Sequence, residues 1–489
     1  MKLKEVFEGV PGIRFNGNGR TDITGLAHSS KQVRPGFLFA AIRGEKNDGF
    51  DFIQEALESG ASAVLSERPR PQAWKGPWVQ ADDVREALAL AAANFYAHPS
   101  MKMKVVGITG TKGKTTLTYL LESILLKAGY QPGVIGTINY RWPNMARPAP
   151  RTTPEAPDLQ RMLSEMLAQG VTHCLIEVSS HALDLKRVWG VHFDIAVFTN
   201  LSAEHLDYHS SMEDYFEAKK RLFFLNAKKR TAVVNLDDVW GKRLISVLPL
   251  TTVSFGLEPA AIVRAERFRF AETGIKADVD YPGGQLKICS SLIGKHNLYN
   301  ILAAVAAALA LNIPAPTIKD GISALKSIPG RLQKIENSLG FEIFVDYAHT
   351  DQALRSLLEA DRDLKPQRIL LVFGAGGDRD KTKRPRMGEV AASLADLSII
   401  TSDNPRSEDP WAIIADIEKG FTGKGAKNYR TIADRREAIL QALAAARKGD
   451  CVLIAGKGHE DYQIFKDKTV HFDDAEVVRA ALEAMEAKA

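Results

Sequence analysis

The rhythm of apolar and polar positions divides this 489-residue chain into stretches of different character. Up to about residue 98, short apolar runs such as Gly36-Phe-Leu-Phe-Ala-Ala-Ile42 are interleaved with segments of helical spacing, Phe52–Ser59 and Val84–Tyr96. From Lys104 onward apolar strands alternate with amphipathic helices: Val105–Thr109, Leu117–Ala128, Cys174–Val178, Ile195–Thr199. That alternation predicts a parallel α/β sheet. Residues 251–290 read as β-rich, and Ala303–Leu311 reads as a buried, Ala-rich helix. Ile343–Asp346, Ile369–Phe373, Leu397–Thr401 and Val452–Ala455, each followed by a polar loop, predict a second open α/β sheet. His98-Pro99-Ser100 and Ile328-Pro329-Gly330-Arg331 are the expected joints, because the residue before a proline leaves helical geometry.

Composition narrows the class. Hydrophobic residues are 45% and charged residues 25%, as in ordinary globular chains. A net charge of +5 over this length does not argue for nucleic acid, but it suits small anionic substrates if the cations cluster. Cys174, Cys289 and Cys451 form no CxxC pair, so neither a zinc ribbon nor a disulfide framework is indicated, and a reducing compartment is expected. The N-terminus has no apolar signal-like core, and no apolar run approaches the roughly 18 residues of a membrane span. A soluble cytoplasmic protein is expected.

The strand Val105–Thr109 runs into Gly110-Thr-Lys-Gly-Lys-Thr-Thr116 and then into a helix. A Gly-rich turn between strand and helix lets backbone N–H groups curl around phosphate, Lys114 adds a full charge, and Thr115 or Thr116 reaches toward Mg²⁺. The spacing is a variant, with Ile108 where the usual pattern has glycine. ATP is the expected ligand. A second cluster, Phe373-Gly-Ala-Gly-Gly-Asp378, lacks the third glycine of a dinucleotide fingerprint, since Arg379 stands there.

Glu177 sits at the carboxyl end of its strand, where ligands of open α/β sheets gather, and Asn200-Leu-Ser-Ala-Glu-His205-Leu-Asp-Tyr-His209 follows the next strand. Glu177 and His205 are placed to hold Mg²⁺; His205 and His209, four apart, are an alternative zinc pair without the intervening glutamate of H-E-x-x-H. The spacing predicts a helix over Met212–Phe224 whose apolar stripe passes through Met212, Tyr215, Phe216, Leu222 and Phe223, and position 219 on that stripe is lysine. An inward lysine is costly unless it snorkels, pairs or is modified. Farther on, Asp403-Asn-Pro-Arg406 with Arg379, Arg384 and Gly456-Lys-Gly-His-Glu460 suggests a pocket for a zwitterion with an extra carboxylate. The competing reading is a helix N-cap by Asp403 or Ser407, with Arg406 in solvent.

The ordered set Gly110–Thr116, Glu177-Val-Ser-Ser-His181, Asn200–Asp207, Gly294-Lys-His-Asn297-Leu-Tyr-Asn300, Pro329-Gly-Arg331, Asp346-Tyr-Ala-His349, Asp403–Arg406 and Gly456–Glu460 resembles the Mur ligases over nearly the whole chain. The Asp-Asn-Pro-Arg form is similar to that of the diaminopimelate-adding members; lysine-adding members usually lack the arginine. The resemblance implies three domains: an N-terminal mixed α/β UDP-binding domain (1–98), a central P-loop-type parallel-sheet ATPase domain (99–330) and a C-terminal Rossmann-like amino-acid domain (331–489). It implies a cytoplasmic monomer of peptidoglycan precursor synthesis, using ATP and Mg²⁺. Its partners would be UDP-MurNAc-L-Ala-D-Glu and meso-diaminopimelate, without nucleic acid or membrane. The D-glutamyl carboxylate would become an acyl phosphate, which an amine of diaminopimelate attacks. By resemblance, Gly110, Thr111, Lys112, Gly113, Lys114, Thr115, Thr116, Asn297, Arg331 and Asp346 contact ATP. Thr115, Glu177, His205 and a carbamylated Lys219 hold the metal, with Lys114, Lys219, His205 and Glu177 catalytic. Ser30, Thr152, Thr153, Ser179 and Arg187 contact the UDP-muramoyl dipeptide; Arg379, Asp403, Asn404, Pro405, Arg406, Gly456 and Glu460 contact diaminopimelate.

Two places depart from the family pattern. Ser29-Ser30-Lys31 stands for its Asp-Ser-Arg, and Asp351 for a proline after His349-Thr. A lysine-adding relative and a folylpolyglutamate-synthase-like ligase are the competing ligase readings, a nucleic-acid ATPase and an inactive UDP-sugar binder the competing readings of other classes.

Overall fold

The computed structural model describes residues 1–486 apart from 45–46, 73, 207, 226–229, 272 and 363. The chain divides into two compact units. The first comprises 1–266, 279–286 and 299–322; the second comprises 267–278, 287–298 and 323–489.

The first unit holds two sheets. The N-terminal one has the order Ile13–Asn16, Trp78–Ala81, Ala63–Ser66, Phe37–Ala40, Gly25–Ala27, with only the first pair antiparallel. Its strands alternate sides, as period-two geometry demands. Leu38, Leu65 and Val79 pack with Ala87, Leu88 and Ala91 of helix Val84–Phe95, while Phe39, Val64 and Trp78 pack with Ile53 and Ala56 on the other face. The helix starts at Asp83, whose carboxylate accepts from Glu86 N.

The larger sheet carries the parallel order Thr251–Gly256, Thr231–Asn235, Ile195–Phe198, Lys104–Thr109, His173–Glu177, Pro132–Ile135. The inner strands, Ile195–Phe198, Lys104–Thr109 and His173–Glu177, are buried on both faces and therefore read as apolar runs. Lys104–Thr109 comes first in the chain but lies in the middle, so the connections leave it in opposite directions and open a crevice at its carboxyl end. Strands Val263–Ala271, Gly274–Tyr281 and Gly284–Ser290 fill the stretch expected to be β-rich. The Ala-rich helix runs Lys295–Ala310, with Ala303–Ala308 fully buried.

In the second unit the sheet order is Gln333–Lys334, Glu342–Asp346, Cys451–Ala455, Ile369–Phe373, Leu397–Ile400, Tyr429–Thr431, parallel except for the first pair. Helices Asp351–Arg362, Lys383–Leu394 and Pro410–Gly423 cover Ile369, Leu371 and Phe373; Arg435–Ala445 and Asp474–Glu486 cover Leu370 and Val372. Asp351 occupies the first position of its helix, where a proline fits equally well, and lies 3.3 Å from Arg386. That accounts for the departure at this position without disturbing the loop. Among the described residues no helix is long and apolar enough to cross a membrane.

Candidate active site

The phosphate loop is held open by its neighbours. Gly110 has φ +144°, and a Cβ there would fall 1.9 Å from Thr199 Oγ1. Gly113, φ +89°, is the N-cap of helix Lys114–Lys127, and its Cβ would fall 2.3 Å from Asn300 Oδ1. Both positions demand glycine. Asn200 clamps the loop from the next strand: its carbonyl accepts from Thr111 N, its Oδ1 from Lys112 N, and its Nδ2 donates to Lys112 O. Lys114 Nζ curls back to donate to Gly110 O and Thr111 O, both at 2.9 Å. The result is a helix N-terminus, a ring of backbone groups and a lysine on one concave turn, an arrangement suited to phosphate.

Beside it, Glu177 is 1% exposed. Its Oε2 accepts from Thr115 Oγ1 at 3.1 Å and Thr137 Oγ1 at 2.9 Å, and its Oε1 from Thr137 N at 3.1 Å. Hydroxyl and carboxylate oxygens thus converge at the start of the phosphate-loop helix, a hard donor set that fits Mg²⁺. The sequence reading missed Thr137; its only signal was its place at the end of a strand adjoining Glu177.

Lys219 is 1% exposed. It does not snorkel: Nζ donates to Gly110 O at 2.8 Å and lies 4.5 Å from the Tyr215 ring centroid. Burial, and next the charge of Lys114, hold its ammonium well below the ordinary lysine range, against the pull of Glu204. The helix ends earlier than expected, at Lys220, and continues as a 3₁₀ turn, Arg221–Phe223.

His205 takes a left-handed backbone, φ +57°, with its ring centroid 5.0 Å from His181 and 6.2 Å from Tyr215. It shares no helix with His209, whose Nε2 lies 2.9 Å from Ser180 Oγ. Among the described residues no three His, Cys, Asp or Glu side chains are grouped to hold a metal. Asp207 lies outside the described residues.

Four of the five residues expected at the UDP-muramoyl peptide form one network. Thr153 Oγ1 donates to Glu177 O at 2.7 Å and accepts from Ser179 N; Arg187 Nη1 donates to Thr153 O at 3.1 Å and pairs with Glu155 at 2.9 Å; Thr152 Oγ1 lies 3.1 Å from Thr137 Oγ1. Ser30 is not a member of that network and is buried in the turn Ser30–Gln32. His28, two residues earlier and not singled out in the sequence, lies in the field of Glu155, Asp158, Arg151 and Arg187, with burial holding its imidazole below its ordinary value.

The second unit holds the remaining candidates. Asn297 Nδ2 donates to Ile293 O at the start of its helix; the Arg331 guanidinium lies 5.0 Å from the Tyr347 ring centroid; Asp346 accepts from Leu332 N and Ala348 N. At the carboxyl ends of strands Leu397–Ile400 and Cys451–Ala455, Asp403 and Asn404 are buried and face Glu460, with Asn404 Nδ2 to Glu460 Oε2 at 2.7 Å. Burial first, then Asp403, pushes the Glu460 carboxyl up. Gly377 packs against Pro405: a Cβ on it would fall 1.9 Å from Pro405 O, and its N–H donates to Asn404 O. Arg406 Nη1 donates to Gly377 O at 2.8 Å, and Arg406 and Arg379 flank Gly376. The Arg406 guanidinium, the stem of the exposed Arg379 and two carboxylates therefore border one loop cluster, suited to a dipolar amino acid with a further carboxylate.

The N-cap alternative fails. Helix Pro410–Gly423 is capped by Asp409, Ser407 Oγ bonds Asp378, and Arg406 is half-buried. Arg384 also departs from expectation. It is wholly buried on helix Lys383–Leu394, paired with Glu408 at 2.8 Å and Asp416 at 3.1 Å, and its charge is spent on joining loops rather than on a ligand.

Comparison with known proteins gives the family. Three family descriptions match: "Mur ligase family, catalytic domain" over residues 22–96, "Mur ligase middle domain" over 108–308, and "Mur ligase, glutamate ligase domain" over 330–458. The UDP-N-acetylmuramoyl-L-alanyl-D-glutamate–2,6-diaminopimelate ligase of Geobacter metallireducens is 46% identical, covering 100% of this chain and 99% of its own. A solved structure of a ligase of the same name is 32% identical with TM-score 0.72, covering 99% of both chains. The Thermotoga maritima MurF ligase, solved in complex with ADP, shares the fold at 21% identity and TM-score 0.63, covering 96% of this chain and 99% of its own. With both the sequence and the fold matched end to end, the chain belongs to the Mur ligase family.

Proposed function

We propose that this ligase adds meso-diaminopimelate to the D-glutamyl carboxylate of UDP-MurNAc-L-Ala-D-Glu, driven by ATP, in cytoplasmic peptidoglycan precursor synthesis. The observation that carries the choice of amino acid is the half-buried Arg406 on the loop cluster that also holds Asp403 and Glu460, with Arg379 joining it across Gly376. Diaminopimelate differs from lysine by one distal carboxylate, and a guanidinium pair is the group that rewards it. In this reading residues 1–98, 99–330 and 331–489 are the UDP-sugar, ATP and amino-acid domains.

The chemistry follows from the residues. A carboxylate oxygen of the glutamyl side chain attacks the γ-phosphorus and ADP leaves; an amine nitrogen then attacks the acyl carbon, a proton departs, and phosphate leaves with that carboxylate oxygen. Lys114, released from the Gly110 and Thr111 carbonyls, and the N-terminus of its helix would stabilise charge on the transferring phosphoryl group. Thr115 and Glu177, with His205 and Lys219, would hold Mg²⁺, which supplies further neutralisation of that charge. Burial, and next the charge of Lys114, lowers the proton affinity of Lys219 and favours the amine whose lone pair can attack. Attack on CO₂ forms an N–C bond, releases one proton and leaves an anion, which turns the inward cation into an oxygen ligand. Thr152, Thr153, Ser179, Arg187 and Ser30 would hold the nucleotide-linked peptide; Asn297, Arg331 and Asp346 would contact ATP.

An ADP-release assay with UDP-MurNAc-L-Ala-D-Glu and a panel of amino acids tests the reading. Release with diaminopimelate and little with lysine or glutamate is expected; preference for lysine or glutamate overturns it.

A further inference from the structure

The residues proposed to grip the amino acid surround a side chain assigned no role. Lys457 lies between Gly456 and Gly458, whose φ values are +120° and +56°. A Cβ on Gly456 would come within 3.0 Å of Asp403 Oδ2, and one on Gly458 within 2.7 Å of Tyr347 Cβ. The two glycines press the backbone against the pocket wall and turn the intervening lysine inward. Its side chain is 0% exposed, so it cannot reach solvent. Nζ lies 3.4 Å from Asn404 Oδ1, 3.4 Å from Glu460 Oε2 and 3.9 Å from Asp403 Oδ1, with the Tyr462 ring centroid at 5.5 Å.

We propose that Lys457 is a positioning residue of the amino-acid pocket and sets its charge preference: its buried ammonium ties Asp403, Asn404 and Glu460 into one unit and cancels one of the two carboxylate charges. Two carboxylates sharing a site cannot both stay ionised without a cation. With Lys457 the trio carries one net negative charge, which one ammonium of the incoming amino acid neutralises, while Arg406 and Arg379 receive the carboxylate. Two other cations also face this cluster, Arg435 toward Asp403 and Glu460 and Lys383 toward Asp403, but among the described residues Lys457 alone holds both carboxylates within 4 Å. Arg435 forms a bidentate pair with Asp474, both wholly buried, and Lys383, which also faces Asp403, donates to His349 O at 2.9 Å. A pocket stripped of Lys457 carries an extra negative charge and favours an amino acid with an ammonium but no distal carboxylate. Selectivity therefore resides partly in a residue that touches the ligand's ligands rather than the ligand.

The inference rests on the proposed activity. The experiment compares kcat/KM for meso-diaminopimelate and L-lysine in the full-length wild type, K457M and K457R, with KM for ATP as the control. In K457M, kcat/KM for diaminopimelate is expected to fall about 20-fold or more, chiefly through KM. The diaminopimelate-to-lysine ratio should move at least about tenfold toward lysine, with KM for ATP within about twofold of wild type. K457R should keep the wild-type ratio. Equal losses for both amino acids, or a K457R ratio like that of K457M, overturn the proposal. If K457M does not bind nucleotide, E460Q decides: it removes the cluster's remaining net negative charge, so the ratio must move away from lysine, and movement toward lysine overturns the proposal. A wild type that couples neither amino acid refutes the proposed activity instead.

Discussion

Lys114 and Lys219 donate to the same acceptor, the carbonyl oxygen of Gly110, at 2.9 and 2.8 Å. One comes from the phosphate-loop helix and the other from a helix about a hundred residues later, and only the first is a conventional phosphate ligand. Burial, and next the repulsion between two ammonium groups on one carbonyl oxygen, lowers the proton affinity of Lys219. That lowering favours the amine form, the one able to act as a nucleophile.

Lys219→Ala is expected to lower product formation by about 10²-fold or more, the scale of losing one preorganised charge contact. Acetate or formate should restore part of the rate by supplying an anion where the carbamate would stand. Thermal unfolding should weaken modestly, since the change leaves a cavity and removes the donor to the Gly110 carbonyl. Full activity in this variant refutes the carbamate role.

Thr137→Val removes a hydroxyl from Glu177 and keeps the shape. The expected cost is about 1–2 kcal/mol in holding that carboxylate. It should appear as about a tenfold higher Mg²⁺ requirement for ADP release, with KM for the amino acid unchanged. An unchanged Mg²⁺ titration argues that Thr137 does not orient Glu177.

Arg384 and Arg406 should separate stability from recognition. Arg384→Met leaves Glu408 and Asp416 without their buried partner and should destabilise the second unit by about 3–5 kcal/mol. Arg406→Ala should leave the melting midpoint near wild type and raise KM for diaminopimelate about 10- to 100-fold, equivalent to about 1.5–3 kcal/mol. Differential scanning calorimetry and steady-state kinetics on the two variants check the contrast.

How far the sequence carried the reading depended on where each signal lay. Parallel strands buried on both faces are continuous apolar runs, so their positions were legible, and their ends were displaced by a residue where Val178, Thr199 and Thr401 turn into loops. Lys219 was visible because it breaks an apolar stripe, a purely local inconsistency. Arg384 was misread because its partners Glu408 and Asp416 are 24 and 32 residues away on other elements. Thr137 was missed because Glu177 is 40 residues distant. Gly456-Lys-Gly was read as loop chemistry, and nothing one-dimensional says that two left-handed glycines aim the lysine inward.

Asp361, 1% exposed on helix Asp351–Arg362, gives a pH signature away from the active site. Burial pushes its carboxyl from the ordinary 3.8 up to about 6, against the smaller opposing effect of the Cys451 thiol. A raised folded-state value means that the fold favours the protonated form. Its stabilising contribution is therefore complete below about pH 4 and is lost as pH rises through about 6. Asp361→Asn should raise stability by about 2–3 kcal/mol at pH 8 and by little at pH 4. Urea unfolding at the two pH values checks this.

The central claim is that an inert carboxylate becomes an acyl phosphate before the amine attacks. The most direct measurement uses UDP-MurNAc-L-Ala-D-Glu carrying ¹⁸O in the glutamyl side-chain carboxylate, with ATP and meso-diaminopimelate. The account predicts a tripeptide product and inorganic phosphate bearing one ¹⁸O from that carboxylate. Unlabelled phosphate alongside product, or ATP hydrolysis without any new amide, would contradict it.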